Sequence, residues 1–289
     1  MVLEKTLVLG SSGFLGSYFR KQLGINSGLF HSRAKLQNYD VTSSIENEQD
    51  VRELFTNLKF KHLVNCVALS NIDYCEKNES LALWLNTELP KLLSMYCLKY
   101  DVKFTHISTD AIFDGTTKLK SESEEANPNS IYGKTKLAGE KLVLEANANS
   151  IVSRVNFFGW NPNGESIFNF FYRNLVEKKK VNGFTDIFFT PLYASTTAKL
   201  ILELMNRDFR GLIHVVGSER ISKYDFAGFI AKEFDLDSRL ITPTSYLDTD
   251  FAKTRSADLS LSNAKLRSLG LSSSSISSGL KLLKQEIGI

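Results

Sequence analysis

Seven residues, Gly10-Ser-Ser-Gly13-Phe-Leu-Gly16, do most to limit what this chain can fold into. They follow the apolar run Leu7-Val8-Leu9 and lead into Phe14–Leu23, where apolar residues recur with helical spacing. A strand that turns on glycine straight into a helix presents backbone amides where a phosphate is well received. In that context Gly10 lets the chain turn sharply off the strand, and Gly13 lets a pyrophosphate approach the backbone. Gly16 lets the helix pack closely on the sheet. Ser12, Phe14 and Leu15 complete the expected cradle. The spacing is GxxGxxG, not the commoner GxGxxG, and glycines serving only a tight turn are the weaker alternative.

The pattern continues in the same alternation. Leu29-Phe30 and His62–Cys66 are apolar strand candidates, as are Val102–Ile107 and Ile151–Val155. Between them Ile45–Leu58, Leu81–Tyr100 and Tyr132–Asn147 have helical spacing, with Pro90 kinking or dividing the second unless it starts a second helix. Strands separated by helices of this length need crossover connections and so a parallel sheet. The fold class expected is α/β, a Rossmann-like doubly wound parallel sheet with ligands at the carboxyl ends of its strands. After Val155 the pattern loosens through the loop-like Asn156–Gly164. Helices are expected at Phe168–Lys179, at Tyr193–Met205 and, capped by Ser222, at Lys223–Phe234; Leu212–Val216 reads as a strand. The division expected is a dinucleotide-binding domain over 1–155, with sheet contributions from about 185–216. A smaller, interleaved C-terminal substrate lobe takes 156–184 and 217–289.

Composition excludes several classes. In 289 residues, 43% hydrophobic and 23% charged, Lys plus Arg exceed Asp plus Glu by 35 − 32 = 3. So small a balance gives no reason to expect nucleic acid or an anionic membrane as partner. Cys66, Cys75 and Cys97 form no CxxC pair, and the four histidines lack metal-ligand spacing, so neither a disulfide framework nor a metal is expected. No stretch approaches the roughly 18 apolar residues of a membrane span. The expectation is a cytoplasmic protein, monomer or homodimer.

Which nicotinamide cofactor would bind turns on the second strand. An acid at its end would hold a ribose 2′-hydroxyl and repel a 2′-phosphate. The chain has His31-Ser32-Arg33 there and no acid until Asp40. Arg33 can offer a forked donor to a phosphate, so NADPH is expected over NADH, which remains possible. Asp40 and Val41 are expected at the start of the next helical region, where Asp40 can also contact the adenine edge.

Tyr132-Gly-Lys-Thr-Lys136 sets a phenol and an ammonium four residues apart, on one face of a helix. A neighbouring cation is expected to lower the phenol's pKa, and about 2 units would need only about 3 kcal/mol. The pair could then give a proton to a carbonyl oxygen as hydride arrives, while Lys136 also holds the cofactor ribose. YxxxK alone is cheap. Its weight comes from Phe104-Thr-His-Ile107, a strand ending in Ser108-Thr109-Asp110, because a hydroxyl at a strand's carboxyl end can polarise a substrate carbonyl. Thr109 is the first choice and Ser108 the reserve.

These residues resemble a known family. Gly10–Gly16, Asn65-Cys-Val-Ala68, His106–Gly115 and Ile131–Glu140 resemble the extended short-chain dehydrogenases, and more narrowly the dTDP-4-dehydrorhamnose reductases. The likeness runs on through Thr190–Tyr193, Gly211–Gly217 and Arg255–Leu259. The resemblance implies a catalytic triad of Thr109, Tyr132 and Lys136, with Cys66 and Ala68 against the cofactor. It matches Asn86 to the asparagine of the active-site helix and makes it a substrate contact. It also implies reduction of the C4 ketone of a nucleotide-linked 6-deoxy sugar by NADPH or NADH, with the sugar nucleotide held by the second lobe. Two departures border the expected sugar site. Ala111 stands where the family usually has tyrosine, and Asn156-Phe157-Phe158 where a tryptophan is common. A related 4-keto sugar nucleotide, or another carbonyl compound, therefore stays open. A relative such as the regulatory beta subunit of methionine adenosyltransferase supplies the competing reading, a catalytically silent NADP-binding subunit. An epimerase or dehydratase on the same fold is the weaker third reading. The acidic stretch Ser121–Glu125 is expected as a solvated rim.

Overall fold

The computed structural model describes residues 5–33, 39–162, 164–248 and 256–288. In chain order the first half runs β1 (Thr6–Leu9), α1 (Phe14–Ser27), β2 (Gly28–Ser32), β3 (Val41–Thr42), α2 (Glu48–Asn57), β4 (His62–Asn65), α3 (Ile72–Lys77), α4 (Glu79–Leu83), α5 (Leu89–Lys99), β5 (Lys103–Thr109), α6 (Ile131–Ala146) and β6 (Ile151–Val155). The second half runs β7 (Phe157–Phe158), α7 (Ile167–Val176), β8 (Val181–Phe184), β9 (Phe188–Phe189), β10 (Leu192–Tyr193), α8 (Ala194–Asn206), β11 (Gly211–Val215), β12 (Ile221–Ser222), α9 (Lys223–Glu233), β13 (Ile241–Thr244), α10 (Ala264–Ser268) and α11 (Ile276–Ile287).

Seven strands form one sheet in the order β11-β6-β5-β4-β1-β2-β3. The pairs β1–β2, β1–β4, β2–β3 and β4–β5 are all parallel, as the crossover argument requires. The order reverses between β1 and β4, and a doubly wound sheet opens a crevice at such a reversal, beyond the strands' carboxyl ends. β1 and β4 are buried along their whole length, and Leu7, Leu9, Leu63, Leu93, Phe104 and Val143 belong to one core cluster. Burying a side chain of that size contributes about 1.5–3 kcal/mol.

The chain divides into two compact units, 1–112 with 130–154 and 198–213, and 113–129 with 155–197 and 214–289. Of residues 185–216, only β11 joins the large sheet. The second unit carries three two-stranded ladders, β7–β10, β9–β12 and β8–β13. Phe158 and Phe189 each meet Phe226 edge to face, and Phe168 packs on Phe234. Ser222 caps α9 through the Asp225 amide, as its position predicts. Within the acidic stretch Ser123, Glu124 and Glu125 are exposed as expected, while Glu122 is partly buried and accepts the amide of buried His214 at 2.8 Å. Arg255 and the last of the resemblance's stretches begin outside the described residues, but Asp258 pairs with Arg220 at 2.5 Å.

Two local readings change. Val41-Thr42 is not the start of a helix but the edge strand β3, in register with His31-Ser32. Asn156–Gly164 is not all loop, since Phe157-Phe158 is β7. Pro90 starts a second helix, the alternative its position left open. It sits in the first turn of α5, and the preceding Trp84–Glu88 forms a π turn that links α4 to α5. Proline has no N–H for the carbonyl four residues back, and a π turn absorbs that misfit. The carbonyl four back is Asn86's.

Candidate active site

The glycine turn follows from its backbone. Gly10 has φ +73°, where a side chain is strained, and an added Cβ would lie 3.1 Å from the Cys66 and Val67 backbone. An added Cβ on Gly16 would lie 2.2 Å from the Gly10 carbonyl oxygen. Gly16 therefore lets α1 close on the turn itself, not on the sheet as its spacing suggested. Gly13, the residue before α1, makes no side-chain cap, and the first turn of α1 carries no acid. That is the charge and geometry a diphosphate needs. Ser11, which motif spacing did not single out, ties the turn to β2 by donating both its amide and its hydroxyl to the His31 carbonyl.

At the end of β2, Arg33 is exposed, and Ser32 Oγ and His31 Nδ1 are buried with no hydrogen-bond partner among the described residues. Orphaned buried polar atoms are rare and fit a polar ligand group there. Asp40 bonds back to the same strand. Its carboxylate accepts the Phe30 amide at 2.8 Å and its own amide donates to the Phe30 carbonyl at 3.0 Å. That is a strand-closing role for Asp40.

On the other side of the reversal, β5 and α6 meet with two matching periods. His106 and Ser108 lie two apart on the strand, and Lys136 and Glu140 four apart on the helix, so each pair presents one face. His106 Nε2 lies 3.2 Å from Lys136 Nζ, and the Ser108 hydroxyl donates to Glu140. Glu140 in turn receives Arg154 of β6 at 2.8 Å, both side chains about 5% exposed. The Ser108 hydroxyl is thus committed to a buried ion pair and is not the reserve substrate contact. Thr109, the last residue of β5, lies near enough to the Tyr132 phenol to act on its titration. Its hydroxyl also donates to Asp110 at 3.1 Å and accepts the Ala111 amide at 3.2 Å.

Helix α6 is held in place from below. Ser130 caps it, and Glu76 accepts the Ile131 amide at 2.8 Å. An added Cβ on Gly139 would lie 2.1 Å from the Asn86 carbonyl oxygen, so glycine alone allows the helix to approach the π turn this closely. Asn86 itself is fully buried. Its amide oxygen accepts the Leu69 amide at 2.9 Å, and its amide nitrogen donates to the Leu69 carbonyl and to Thr135 at 3.0 and 3.1 Å. Both N–H groups are used, so Asn86 anchors α6 and the stretch Cys66–Leu69 instead of touching substrate. Cys66 and Ala68, partly buried, lie in that stretch directly after β4.

Charge follows burial. The Tyr132 phenol is pushed up to about 12, chiefly by desolvation, with Thr109 pulling down and Asp110 and Cys75 pushing up. The expected lowering does not occur: Lys136 Nζ is turned to the Ile107 carbonyl at 2.7 Å and to His106, and burial takes Lys136 itself down to about 8. A phenol this weak stays protonated at neutral pH, the state a proton donor requires. Cys66 is likewise pushed up to about 12 by burial. Asn156 and Phe157 belong to the second unit, where the Asn156 carbonyl accepts the Leu192 amide at 3.0 Å. Among the described residues no group of three His, Cys, Asp or Glu could hold a metal, and no helix is long and apolar enough to cross a membrane.

A doubly wound sheet of order 3-2-1-4-5-6, a glycine turn after its first strand and a Tyr–Lys helix beside its fifth define an extended short-chain dehydrogenase/reductase, a class of NAD(P)-dependent oxidoreductases. Residues 4–287 match the RmlD substrate binding domain, and the chain belongs to that family. It is 30% identical to the "probable low-salt glycan biosynthesis reductase Agl14" of Haloferax volcanii over 89% of this chain and 90% of that one. It is 25% identical to the dTDP-4-dehydrorhamnose reductase of Mycobacterium tuberculosis, over 93% and 88%. A crystal structure of a dTDP-4-dehydrorhamnose reductase from Clostridium acetobutylicum superposes with a TM-score of 0.88 at 27% identity, covering 99% of this chain and all of that one. The Bacillus anthracis enzyme of the same name, solved in complex with NADP, shares the fold at a TM-score of 0.87 and 22% identity, covering 98% and 99%. Methionine adenosyltransferase 2 subunit beta of Xenopus laevis is 27% identical over 83% of this chain and 75% of its own length.

Proposed function

We propose that the protein reduces the 4-keto group of a nucleotide-linked deoxy sugar, with NADPH preferred over NADH. The observation that carries this reading is the Thr109 hydroxyl lying beside the Tyr132 phenol, near enough to act on its titration, at the carboxyl end of β5. Two hydroxyls held together there can receive one carbonyl oxygen. Thr109 polarises it, and Tyr132, protonated at neutral pH, delivers the proton. Bound NADPH would supply the hydride. The amides at the start of α1 would hold its diphosphate, Arg33 and Ser32 its 2′-phosphate, and Lys136 its nicotinamide ribose. Gly10, Gly13, Gly16, Cys66 and Ala68 would line its path. The names of the reductases described above support a nucleotide-sugar substrate. Ala111, smaller than the tyrosine usual in the family, and Asn156 and Phe157 are the positions where this chain's sugar would differ. The silent-subunit reading is the weaker one, because a chain relieved of catalysis has no need to keep Thr109, Tyr132 and Lys136 together.

The test is NADPH oxidation, followed by absorbance, against dTDP-4-dehydrorhamnose and a panel of other 4-keto sugar nucleotides. Turnover with at least one, yielding the 4-hydroxy sugar by mass and NMR, is expected. NADPH binding with no turnover across the panel would leave the subunit reading in its place.

A further inference from the structure

Behind the Tyr132–Lys136 helix face runs a chain of three buried side chains that proton donation by Tyr132 does not itself employ. Asn65 ends β4 and is fully buried. Its Oδ1 accepts the Val67 amide at 3.0 Å, which leaves Nδ2 facing His106 Nδ1 at 3.2 Å. An amide nitrogen only donates, so His106 Nδ1 must be the acceptor, and a neutral ring then carries its single proton on Nε2. That Nε2–H points at Lys136 Nζ, 3.2 Å away, while Nζ donates to the Ile107 carbonyl at 2.7 Å. An ammonium has three donors and no acceptor, so it would meet His106 donor to donor. A neutral amine can accept from His106 and still donate to Ile107.

We propose that Asn65 and His106 are positioning residues: Asn65 locks the histidine tautomer, and the locked Nε2–H opposes positive charge on Lys136. The inference rests on the reading of Lys136 as the residue that holds the cofactor ribose. Burial and the Lys136 charge hold His106 well below the usual imidazole range, so the ring stays neutral and the tautomer question has one proton to place. Burial has already brought Lys136 down to about 8, and the facing N–H acts in the same direction. The other groups facing Lys136 are the Glu140 carboxylate one turn along α6, held by Arg154 and Ser108, and the Cys66 thiol after β4. Tyr132 lies one turn earlier on the same helix. Glu140 favours the charge and His106 disfavours it, so Lys136 is poised between two states near working pH.

Replacing Asn65 by Asp tests the lock with almost no change of shape. One carboxylate oxygen still accepts the Val67 amide, and the other can only accept, so the ring proton must move to Nδ1. The Nε2 lone pair then faces Nζ and favours the ammonium. Long-range 1H–15N NMR on 15N-histidine-labelled protein reads the tautomer, with His106→Gln assigning the signal among four histidines. 13Cε-lysine labelling reads the Lys136 titration, with Lys136→Met as the assignment. Wild type is expected to carry the His106 proton on Nε2; Asn65→Asp is expected to carry it on Nδ1, with the Lys136 midpoint raised by one pH unit or more. The alkaline limb of kcat/KM should rise with it. A wild-type ring protonated on Nδ1 or on both nitrogens overturns the proposal even should Asn65→Asp fail to fold. So does an unmoved Lys136 midpoint in the variant. The NMR arms need no turnover, so they can hold while the reductase reading fails, or fail while it holds.

Discussion

The glycine turn and the β5–α6 seam flank the same crevice, yet they are built on opposite principles. The turn works by leaving side chains out: at Gly10 and Gly16 an added Cβ would strike backbone, and the helix start carries no cap and no acid. The seam works by packing polar side chains in, with His106, Ser108, Lys136, Glu140 and Arg154 all buried and each tied to another. A backbone cradle tolerates any residue that keeps its shape. A buried polar network tolerates almost no loss, because each group depends on a partner. The two regions should therefore fail differently under mutation.

The largest loss of stability is expected in the seam. Glu140→Ala removes the carboxylate shared by Arg154 and Ser108, and breaking a buried pair from one side costs about 3–5 kcal/mol. Urea unfolding should show it, and a loss below about 1 kcal/mol would mean the network is wet. Next comes Lys136, whose folded pKa of about 8 lies below its unfolded value near 10.4. The unfolded chain binds the extra proton between those values, so stability should rise with pH from about 8 to 10.4, by a few kcal/mol at most. Lys136→Met should flatten that rise. Tyr132, raised to about 12, acts in a higher window and with the opposite sign: stability falls as pH climbs from about 10 to 12.

The turn should yield less stability and more ligand affinity. Gly16→Ala forces a methyl to within 2.2 Å of the Gly10 carbonyl. A cost of about 1–3 kcal/mol is expected, with NADPH affinity lost alongside. An alanine variant with unchanged fluorescence titration would show that the turn does not grip the cofactor. The smallest effect is Arg33→Ala: about a tenfold fall in kcat/KM with NADPH, near 1.4 kcal/mol, and none with NADH. Equal losses with both would remove the 2′-phosphate from Arg33.

The same contrast explains what the sequence made legible. The turn is a local device: seven consecutive residues name it, and the alternation from Leu7 to Val155 carries the parallel sheet with it. The seam is not local. His106 and Lys136 lie 30 residues apart, and only crossing the strand's period of two with the helix's period of four would have joined them. Motif position puts Asn86 and Ser108 at the substrate, because it says where a residue lies but not where its hydrogen bonds go. A lysine one turn away predicts a lowered phenol pKa; desolvation, which spacing does not reveal, is the stronger influence. Val41-Thr42 is too short to show a period, and pairing with β2 decides its form.

Single-turnover reduction of the best 4-keto sugar nucleotide by pre-bound NADPH, in wild type and Tyr132→Phe, bears most directly on proton delivery from this phenol. The account predicts NADPH binding within about twofold of wild type and a hydride-transfer rate lower by at least about a hundredfold. A phenylalanine variant that turns over at more than a tenth of the wild-type rate would contradict it.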